Sequence, residues 1–387
     1  MADLPFVRLR PDREGAVRRG HPWVLSGSVA EVAGSPEAGE TVEVRAASGA
    51  RLGIGDLDPD SQIRVRIFSV GEEPHDPQEG WLEERLSAAL ARRADHPALA
   101  ETDALRWVHA EADGLPGLTV DRYADWAVVK AGTPAMERRL ERVAEWLETR
   151  GKLAGCWDRG DGRTGRAGRC VGGAVPEEPI EIEERGRRYA VDLRHGQKTG
   201  FYLDQRDARD RFGAGASGMR VLDLCCYSGG FAIAARRGGA REGVAVDSSK
   251  RALDLLRRSA DDLEVVQEDV GRFLRRDERR WDRIALDPPP LARRKRDLPA
   301  AARAYKDLNL WALRRAAAGA ELFTFSCSHH MTAEQLDRCV ASAALDARAR
   351  VQVLARLGAA ADHPVDTRHP EGEYLHGLWL RVVDPAP

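Results

Sequence analysis

Apolar and polar residues alternate in several short segments near the start of the chain, and this alternation predicts β-strands. The segments cover residues 7–10, 23–29, 40–46, 51–57 and 63–69. Glycines punctuate the region, and five strands within about 65 residues leave no room for the crossover helices of a parallel sheet. We therefore predict a small N-terminal β barrel.

The middle of the chain mixes helical and strand patterns. The polar, turn-rich stretch 71–80 predicts the first domain boundary. The predicted elements are a helix over 81–97, two strands over 117–131, a helix over 136–151 and a hairpin over 180–193. Residues 157–175 hold six glycines and four arginines, so we predict a mobile loop there.

From about residue 195 onward, short apolar strands alternate with helical stretches. The predicted strands cover 219–226, 242–247, 263–269, 282–287 and 321–327, and the predicted helices cover 231–238, 249–260, 270–280 and 299–318. This alternation predicts a doubly wound α/β fold, a parallel sheet with helices on both faces. The full prediction is a β barrel over 1–73, a mixed α+β connector over 74–190 and the doubly wound domain over 191–387.

Composition narrows the classes of protein. With 43% hydrophobic and 32% charged residues the chain can bury a core, which excludes a disordered protein. Because no apolar run approaches about 18 residues and the N-terminus has no secretory core, we expect a cytoplasmic protein without a membrane span. A net charge of −2 excludes a generally basic nucleic-acid coat but leaves room for a local basic surface. Six cysteines without a CxxC pair predict neither a disulfide scaffold nor a structural zinc site.

Acidic residues stand at or near the ends of four successive predicted strands, where ligands bind in parallel sheets. They are Asp223, Asp247, Asp269 and Asp287. Any one of them could cap a helix, and Ser248 could cap the helix after Asp247. Together they indicate a nucleoside ligand with a positive charge, and the position of Asp247 suits the hydroxyls of a ribose.

Two loops at this edge have unusual residues. Gly229 and Gly230 turn the first strand into its helix, which would let a ligand approach the backbone, although a plain structural turn is equally open because the G-x-G-x-x-G spacing is absent. Three prolines follow Asp287 and stiffen its loop, which suits a carboxylate that holds a flat, polar base edge.

The fifth strand ends in FSCSHH, residues 325–330. A lone cysteine is commonly a small buried hydrophobe, but Cys327 stands at the ligand-binding edge, which favours a nucleophile. Cys225 and Cys226 are interpreted as packing residues. The adjacent His329 and His330 lack a third ligand, so no metal site is predicted.

These motifs, taken in order, resemble the class I methyltransferases that use S-adenosylmethionine. More narrowly, the chain resembles the RlmI-like ribosomal RNA large-subunit cytosine-C5 methyltransferases. The resemblance rests on DLCCYSGGF, Asp247, Asp269, DPPP and FSCSHH, and it extends to residues 112–123, 192–209, 305–310 and 361–375. It implies that the N-terminal barrel is a PUA-type RNA-binding module.

The resemblance also assigns roles to residues. It implies that Cys327 is the nucleophile that adds to C6 of the cytosine and that Asp287 holds the base near N3 and stabilises the adduct. The implied cofactor is S-adenosylmethionine, with Asp247 on its ribose and Asp269 near its adenine. The cofactor-binding residues would be Asp223, Tyr227, Gly229, Gly230, Asp247, Ser248, Asp269 and Asp287.

Two departures from the family pattern and three alternatives accompany this assignment. Pro290 stands where the family usually has Lys, and Ser228 where it usually has Thr. Related guanine methyltransferases tend to carry Asn at the position of Cys327, which favours cytosine here. The alternatives are another base or transfer RNA, a small-molecule substrate, and a catalytically silent RNA-binding protein.

Binding of RNA requires cations, and two runs supply them. Residues 290–306 carry six Lys or Arg and one acid, and residues 185–211 carry eight Lys or Arg and four acids. A solvated surface would explain either run alone, but the first follows Asp287 directly, which favours contacts with phosphates. The predicted RNA contacts are Lys198, Arg206, Arg293, Arg294, Lys295, Arg296 and Lys306. We expect RNA as the partner and no association with a membrane. The oligomeric state stays open, and a homodimer is one of the possibilities.

Overall fold

The structure is a computed structural model that describes residues 4–71, 80–160, 165–292 and 294–386. The chain forms two compact units. The first comprises Met1–Glu177, Leu193–Gly200 and Asp362–Gly372, and the second comprises Glu178–Asp192, Phe201–Ala361 and Glu373–Pro387. The three predicted domains, with boundaries after residues 73 and 190, therefore stay a prediction, and residue 73 itself lies outside the described residues.

The first unit begins with a six-stranded sheet in the order β2-β6-β5-β4-β1-β3. Its elements are β1 Phe6–Leu9, α1 Gly15–Arg18, β2 Trp23–Leu25, β3 Val29–Ala33, β4 Thr41–Arg45, β5 Arg51–Leu57 and β6 Ile63–Val70. Alternate residues such as Val7, Leu9, Val42 and Val44 are fully buried, as the sequence pattern predicted. The strand predicted over 23–29 is interrupted by a 3₁₀ turn at Ser26–Ser28, because a Ser-Gly-Ser sequence favours a turn.

A second sheet of the same unit has the order β11-β10-β9-β8-β7. Its elements are α2 Trp81–Ala94, β7 Ala104–His109, β8 Leu118–Tyr123, β9 Trp126–Ala131, α3 Pro134–Arg138, α4 Leu140–Gly151, β10 Gly155–Asp158 and β11 Arg169–Gly173. The prediction of a loop over 157–175 is wrong at both ends of that range, because β10 and β11 form there and pair with each other. Residues 161–164, between these strands, lie outside the described residues. Gly155 allows the two strands to approach closely, because a Cβ at this position would lie only 2.4 Å from the backbone oxygen of Ala174.

The second unit contains a hairpin and a seven-stranded sheet in the order β16-β15-β14-β17-β18-β20-β19. Its strands are β12 Ile180–Glu184, β13 Arg187–Val191, β14 Arg220–Leu224, β15 Glu242–Asp247, β16 Glu264–Gln267, β17 Trp281–Leu286, β18 Ala316–Ser326, β19 Arg350–Leu357 and β20 His376–Asp384. Its helices are α5 Arg206–Ala214, α6 Gly230–Arg237, α7 Lys250–Ser259, α8 Val270–Arg276, α9 Leu298–Arg315 and α10 Ala333–Ala347.

Helices cover both faces of this sheet, as predicted. Leu222 and Leu224 of β14 pack in one core cluster with residues of α8, α9 and α10. Val221, one position out of phase, packs in another cluster with residues of α5 and α6. The strands from β14 to β18 are parallel, whereas β20 and β19 add an antiparallel edge that the sequence analysis did not predict.

The strand order fixes where a ligand can bind. The chain leaves β14 towards β15 and β16 on one side, then returns to β17 and β18 on the other. In open α/β sheets such a reversal opens a crevice at the carboxyl ends of the strands. The loops after β14 and β17 meet there, and the backbone N–H of Asp287 donates to the backbone oxygen of Leu224 at 3.2 Å. Separately, none of the described helices is long and apolar enough to span a membrane.

Candidate cofactor and catalytic site

The turn after β14 is held in a constrained conformation. Cys225 and Tyr227 have φ values of 59° and 49°, a left-handed region that costs non-glycine residues about 1–2 kcal/mol each. The backbone N–H of Tyr227 donates to Oδ2 of Asp247 at 2.9 Å, which fixes the turn to the end of β15. Strain of this kind tends to cluster at ligand sites.

Gly229 is needed at this turn for a packing reason. It has a φ of 80° just before α6, and a Cβ there would lie 2.2 Å from Cδ1 of Leu256 on α7. At Gly230 a Cβ would lie 3.1 Å from Cδ of Arg209. These contacts are within the protein, so the roles of both glycines towards a cofactor stay predictions.

Gly229→Ala is expected to lower the free energy of unfolding by about 2–4 kcal/mol. The left-handed φ contributes about 1 kcal/mol and the clash with Leu256 about 1–3 kcal/mol. Gly186→Ala is the matched control, because Gly186 has a φ of 72° but nothing lies within 4 Å of the added Cβ. Urea denaturation of both variants measures the difference, and equal losses would contradict the packing role of Gly229.

Asp247 is held by two backbone donors. Its Oδ1 accepts from the N–H of Ser249 at 2.8 Å, and its Oδ2 accepts from Tyr227. Ser249, rather than Ser248, caps α7, since its hydroxyl accepts from the N–H of Ala252 at 3.3 Å. A carboxylate can accept about four hydrogen bonds, so Asp247 keeps capacity for ribose hydroxyls.

Asp269 and Ser248 lie on the same edge of the sheet and are both exposed. Asp269 is the N-cap of α8, where Oδ1 accepts from the N–H of Arg272 at 2.9 Å. The role of Asp269 as a helix cap therefore explains the hydrogen bond of its Oδ1 and leaves its Oδ2 without an assigned role. Contact of Asp269 and Ser248 with a cofactor stays a prediction.

Asp223 has a buried carboxyl group that suits a cationic or hydrogen-bonding ligand. It is 1% exposed, and its Oδ2 accepts from the N–H of Ala232 at 2.8 Å. Its Oδ1 is buried and has no hydrogen-bond partner among the described residues. The pKa of Asp223 is raised to about 7, mainly by burial and also by the nearby charges of Asp287 and Asp247, and the hydrogen bond from Ala232 opposes this rise. The amino group of S-adenosylmethionine is a donor that fits this oxygen.

Asp223 should make the stability of the cofactor-free protein depend on pH. Because its folded pKa lies above the ordinary value of 3.8, the native state binds more protons, and the free energy of unfolding falls as pH rises from about 4 to about 7. The loss is at most about 4 kcal/mol. Asp223→Asn lacks this contribution, so its stability relative to the wild type should increase with pH. Urea denaturation at pH 5 and pH 8 tests this, and parallel pH profiles would contradict it.

Asp287 has a partner that the sequence analysis missed. Nε2 of Gln205 donates to Oδ2 of Asp287 at 2.9 Å, and Gln205 is buried in a 3₁₀ turn at Leu203–Gln205. Asp287 is half-buried at the end of β17, followed by buried Pro288 and the exposed prolines at 289 and 290. The signal that could have found Gln205 is its place within residues 192–209, one of the segments that carry the family resemblance.

Cys327 follows β18 and is half-buried between two fully buried serines. The hydroxyl of Tyr305 on α9 lies 3.0 Å from Oγ of Ser326 and 3.0 Å from Oγ of Ser328. Burial raises the pKa of Tyr305, so its hydroxyl is neutral and can hold both serines. The backbone on each side of Cys327 is therefore fixed by α9.

Ser328 also joins the two loops that carry the candidate catalytic residues. Its Oγ accepts from the N–H of Leu291 at 3.0 Å and from the N–H of Ala292 at 3.3 Å. Leu291 and Ala292 end the proline-rich loop that begins at Asp287. Cys327 and Asp287 thus lie on loops that are tied to each other, and both raise the pKa of Tyr305 electrostatically.

An aromatic pair lies near these groups, and one member, Tyr202, was not predicted, whereas Tyr227 was predicted to bind the cofactor. The rings of Tyr202 and Tyr227 meet edge to face with centroids 5.6 Å apart. Burial raises the pKa of Tyr202, and the charges of Asp287 and Cys327 raise it further, so Tyr202 is a neutral phenol. The structure therefore brings Tyr202, Tyr227, Asp287 and Cys327 into one region.

Arg206 was wrongly predicted to contact RNA. Its side chain is 0% exposed, and its Nε lies 3.3 Å from Oε2 of the equally buried Glu184. Burial opposes ionisation of Glu184, yet Arg209, Arg206 and Arg187 hold its pKa below the ordinary value. Because a buried carboxylate needs such partners, Arg206 serves the interior of the second unit rather than a phosphate.

The other predicted RNA contacts occupy varied positions. Arg294, Lys295 and Arg296 are exposed just before α9, and Arg293 between them and the proline-rich loop lies outside the described residues. Lys306 is paired with Asp346 at 2.6 Å on the surface. Lys198 is exposed in the first unit. In the part of the chain that the structure describes, no cluster of three or more His, Cys, Asp or Glu side chains could hold a metal ion.

Comparison with known proteins gives concordant matches. A PUA-like domain model matches residues 7–70, and an S-adenosylmethionine-dependent methyltransferase model matches residues 135–282. The proteins named ribosomal RNA large subunit methyltransferase I from Tolumonas auensis and from Aeromonas salmonicida are each 39% identical to this chain, over 97% of it and 99% of their own length.

Two solved structures share the fold over nearly the whole chain. One, from Streptococcus mutans, is described as a SAM-dependent methyltransferase and superposes with a TM-score of 0.83 at 21% identity, covering 99% of this chain and 100% of its own. The other is a methyltransferase complexed with SAH, with a TM-score of 0.84 at 21% identity and the same coverage. The predicted PUA-like module, the doubly wound methyltransferase sheet and the S-adenosylmethionine cofactor are thereby confirmed.

Proposed function

The chain belongs to the ribosomal RNA large subunit methyltransferase I family, and from this premise we propose that it methylates C5 of a cytosine in large-subunit ribosomal RNA. The observation that carries the choice of cytosine is the position of Cys327. Its loop is joined through Ser328 to the loop of Asp287, at the edge where the cofactor-binding turns converge. An RNA acceptor in the ribosome also implies a cytoplasmic location, which is part of this proposal.

A thiol is the group that this reaction needs. C5 of cytosine is too weak a nucleophile to accept a methyl group directly. The Cys327 thiolate would form a bond to C6, which makes C5 an enamine-like nucleophile, and C5 would then take the methyl group. A base, for which water is sufficient, would then take the C5 proton; the electron pair of the C5–H bond re-forms the C5–C6 double bond, and the bond between sulfur and C6 breaks to release the Cys327 thiolate. S-adenosylmethionine supplies the electrophilic methyl group on its sulfonium sulfur.

Asp287 and its neighbours would position the base. Gln205 fixes the Asp287 carboxylate through Oδ2, which leaves the group oriented to bind the polar edge of the ring near N3. In its protonated form Asp287 would donate a hydrogen bond to N3, and this donor would stabilise the negative charge that addition of the thiolate places on the ring. Tyr202 lies near Asp287 and Cys327, and its ring contacts that of Tyr227. An aromatic surface at this position would exclude water and contact a flat base.

The cofactor would be held by acids and by the turn after β14. Asp247, already oriented by two backbone N–H groups, would accept from ribose hydroxyls. The unsatisfied Oδ1 of Asp223 would accept from the amino group of the methionine part. Both acids also complement the positive charge of the sulfonium.

Methyl transfer with labelled cofactor tests the proposal. Large-subunit ribosomal RNA is incubated with the protein and methyl-labelled S-adenosylmethionine, then digested to nucleosides and separated. The label should appear in 5-methylcytidine, and transfer RNA should accept none. Label in a methylguanosine would favour the guanine alternative.

Calorimetry separates the enzyme from a silent RNA-binding protein. The wild type should bind S-adenosylmethionine, and Asp247→Ala should bind it at least about 10-fold more weakly, since two or more hydrogen bonds to the ribose are lost. Absence of binding by the wild type would contradict an enzymatic role.

A further inference from the structure

A groove of about 390 Å³ lies between α9 and α10, outside the site described above. Its floor is apolar and is formed by Leu298, Ala302, Met331 and Cys339. Met331 is 1% exposed and Cys339 is 7% exposed, so the floor is part of the packed core of the second unit. The volume is at the lower end of the range of about 300–1,000 Å³ that is usual for small-ligand pockets.

The rim of the groove is positively charged. Arg303, Lys306 and Arg338 line it, and no acidic side chain does so among the described residues. Two of these cations already have acidic partners: Arg338 pairs with Glu334 at 2.5 Å, with both side chains 74% exposed, and Lys306 pairs with Asp346 at 2.6 Å, with side chains 34% and 45% exposed. Surface pairs of this kind are weak, so a phosphate could replace the acid. Arg303 is exposed and makes no ion pair within the part of the chain that the structure describes.

Both walls of the groove continue directly from the candidate catalytic loops. The wall on α9 follows the loop that begins at Asp287. Met331 comes four residues after Cys327, which limits their separation to about 14 Å of chain. The N–H of Met331 donates to the backbone oxygen of Ser328 at 2.8 Å, which tightens that connection further. A ligand of the groove would therefore lie close to the substrate of Cys327.

We propose that this groove binds a nucleotide of the RNA strand next to the target cytosine. The apolar floor would contact the face of the base or the sugar, and Arg303, Lys306 and Arg338 would bind the adjoining phosphates. The side-chain oxygen of Gln335 accepts from the N–H of Thr332 at 2.9 Å in the cap of α10, which fixes this side chain at the groove and leaves its NH2 group as a donor.

This inference rests on the proposed function, because only a nucleic acid substrate brings phosphates to this position. The rim favours RNA over a protein, since three further exposed cations, Arg294, Lys295 and Arg296, come just before α9 in the chain. A target base that leaves its stack to reach Cys327 also exposes its neighbour, which then gains from a second apolar surface.

Filling the groove tests the proposal. Ala302→Phe is expected to raise KM for RNA about 10-fold, as the loss of one base-stacking contact would, with kcat and KM for S-adenosylmethionine unchanged. Ala341→Phe is the matched control, because Ala341 is exposed on α10 and does not line the groove. If the KM values for RNA of Ala302→Phe and Ala341→Phe are equal, the proposal is wrong.

Reversing a rim charge gives a second test that does not depend on core packing. Arg303→Glu should raise KM for RNA and lower the slope of log KM against log salt concentration by about one. Arg350→Glu, with 67% side-chain exposure on β19, is the control for the same change of charge. Equal salt slopes in the two variants would overturn the proposal and leave the groove to a protein partner.

The two proposals fail in different ways. Absence of 5-methylcytidine from the wild-type reaction contradicts the proposed function. The nucleotide subsite alone is contradicted if Ala302→Phe and Arg303→Glu form 5-methylcytidine normally and have the same KM for RNA as their control variants.

Discussion

Cys327→Ala should lose at least about 1,000-fold in the rate of methyl transfer to RNA while binding S-adenosylmethionine within about twofold of the wild type. The loss is large because without the thiolate no bond forms to C6, and C5 then remains too weak a nucleophile. Cofactor binding is spared because Cys327 follows β18 and is not one of the predicted cofactor residues, which lie in or after β14, β15, β16 and β17. Single-turnover rates with saturating RNA measure the effect on chemistry alone.

The control for this variant is Cys170→Ala. Cys170 is an exposed free thiol on β11, far along the chain from the candidate catalytic loops. It should transfer methyl groups at the wild-type rate. Full activity of Cys327→Ala would remove the assignment to cytosine, because methylation of guanine needs no such thiol.

Glu184→Gln is expected to lower the free energy of unfolding by about 3–5 kcal/mol. Glu184 is fully buried and accepts from Nε of Arg209 at 3.0 Å and from its Nη2 at 2.6 Å, with Arg206 and Arg187 also beside it. Removing this charge leaves buried guanidinium groups without compensation. Urea denaturation at pH 7 measures the loss.

The control and the pH dependence sharpen this second prediction. Glu181→Gln removes the partner of Arg188 in a pair that is more than half exposed, so it should cost less than about 1 kcal/mol. The pKa of Glu184 is lower in the folded than in the unfolded protein. Its contribution to the free energy of unfolding is therefore present above the unfolded pKa and is lost as pH falls through the folded pKa. The difference in free energy of unfolding between the wild type and Glu184→Gln should therefore become smaller in acid. A loss equal to that of Glu181→Gln would contradict the assigned role.

The same cluster connects stability to the site. Nη1 of Arg209 donates to the backbone oxygen of Tyr202 at 2.7 Å, and Tyr202 lies beside Asp287 and Cys327. Glu184 therefore holds, through Arg209, the backbone that carries one of the aromatic side chains of the site. Partial unfolding around Glu184 should reduce methyl transfer as well as stability.

The arrangement of the acids and Cys327 could be predicted because chain order determines it. Parallel strands in one sheet end at the same edge, so residues that follow β14, β15, β17 and β18 must lie together. The alternation of apolar and polar residues and the short continuous apolar runs were sufficient to predict those strands. The antiparallel strand β19 was not predicted because it is mostly exposed and has no continuous apolar run.

The supporting residues could not be predicted from local pattern. Gln205 and Asp287 are 82 positions apart, and Tyr305 and Ser328 are 23 apart. Nothing in helix or strand periodicity indicates such pairings. Arg206 was misassigned for a related reason: a run of charges suggests a surface, but a buried carboxylate such as Glu184 draws cations inward, and only the folded chain shows that partner.

Trapping with RNA that contains 5-fluorocytidine tests the proposed chemistry most directly. Fluorine at C5 cannot leave as a proton does, so the bond between sulfur and C6 persists after methyl transfer. We expect a covalent complex of protein and RNA that carries the labelled methyl group, maps to the peptide containing Cys327 and is absent with Cys327→Ala. Release of methylated RNA without such a complex, or an adduct on another thiol, would contradict catalysis through Cys327.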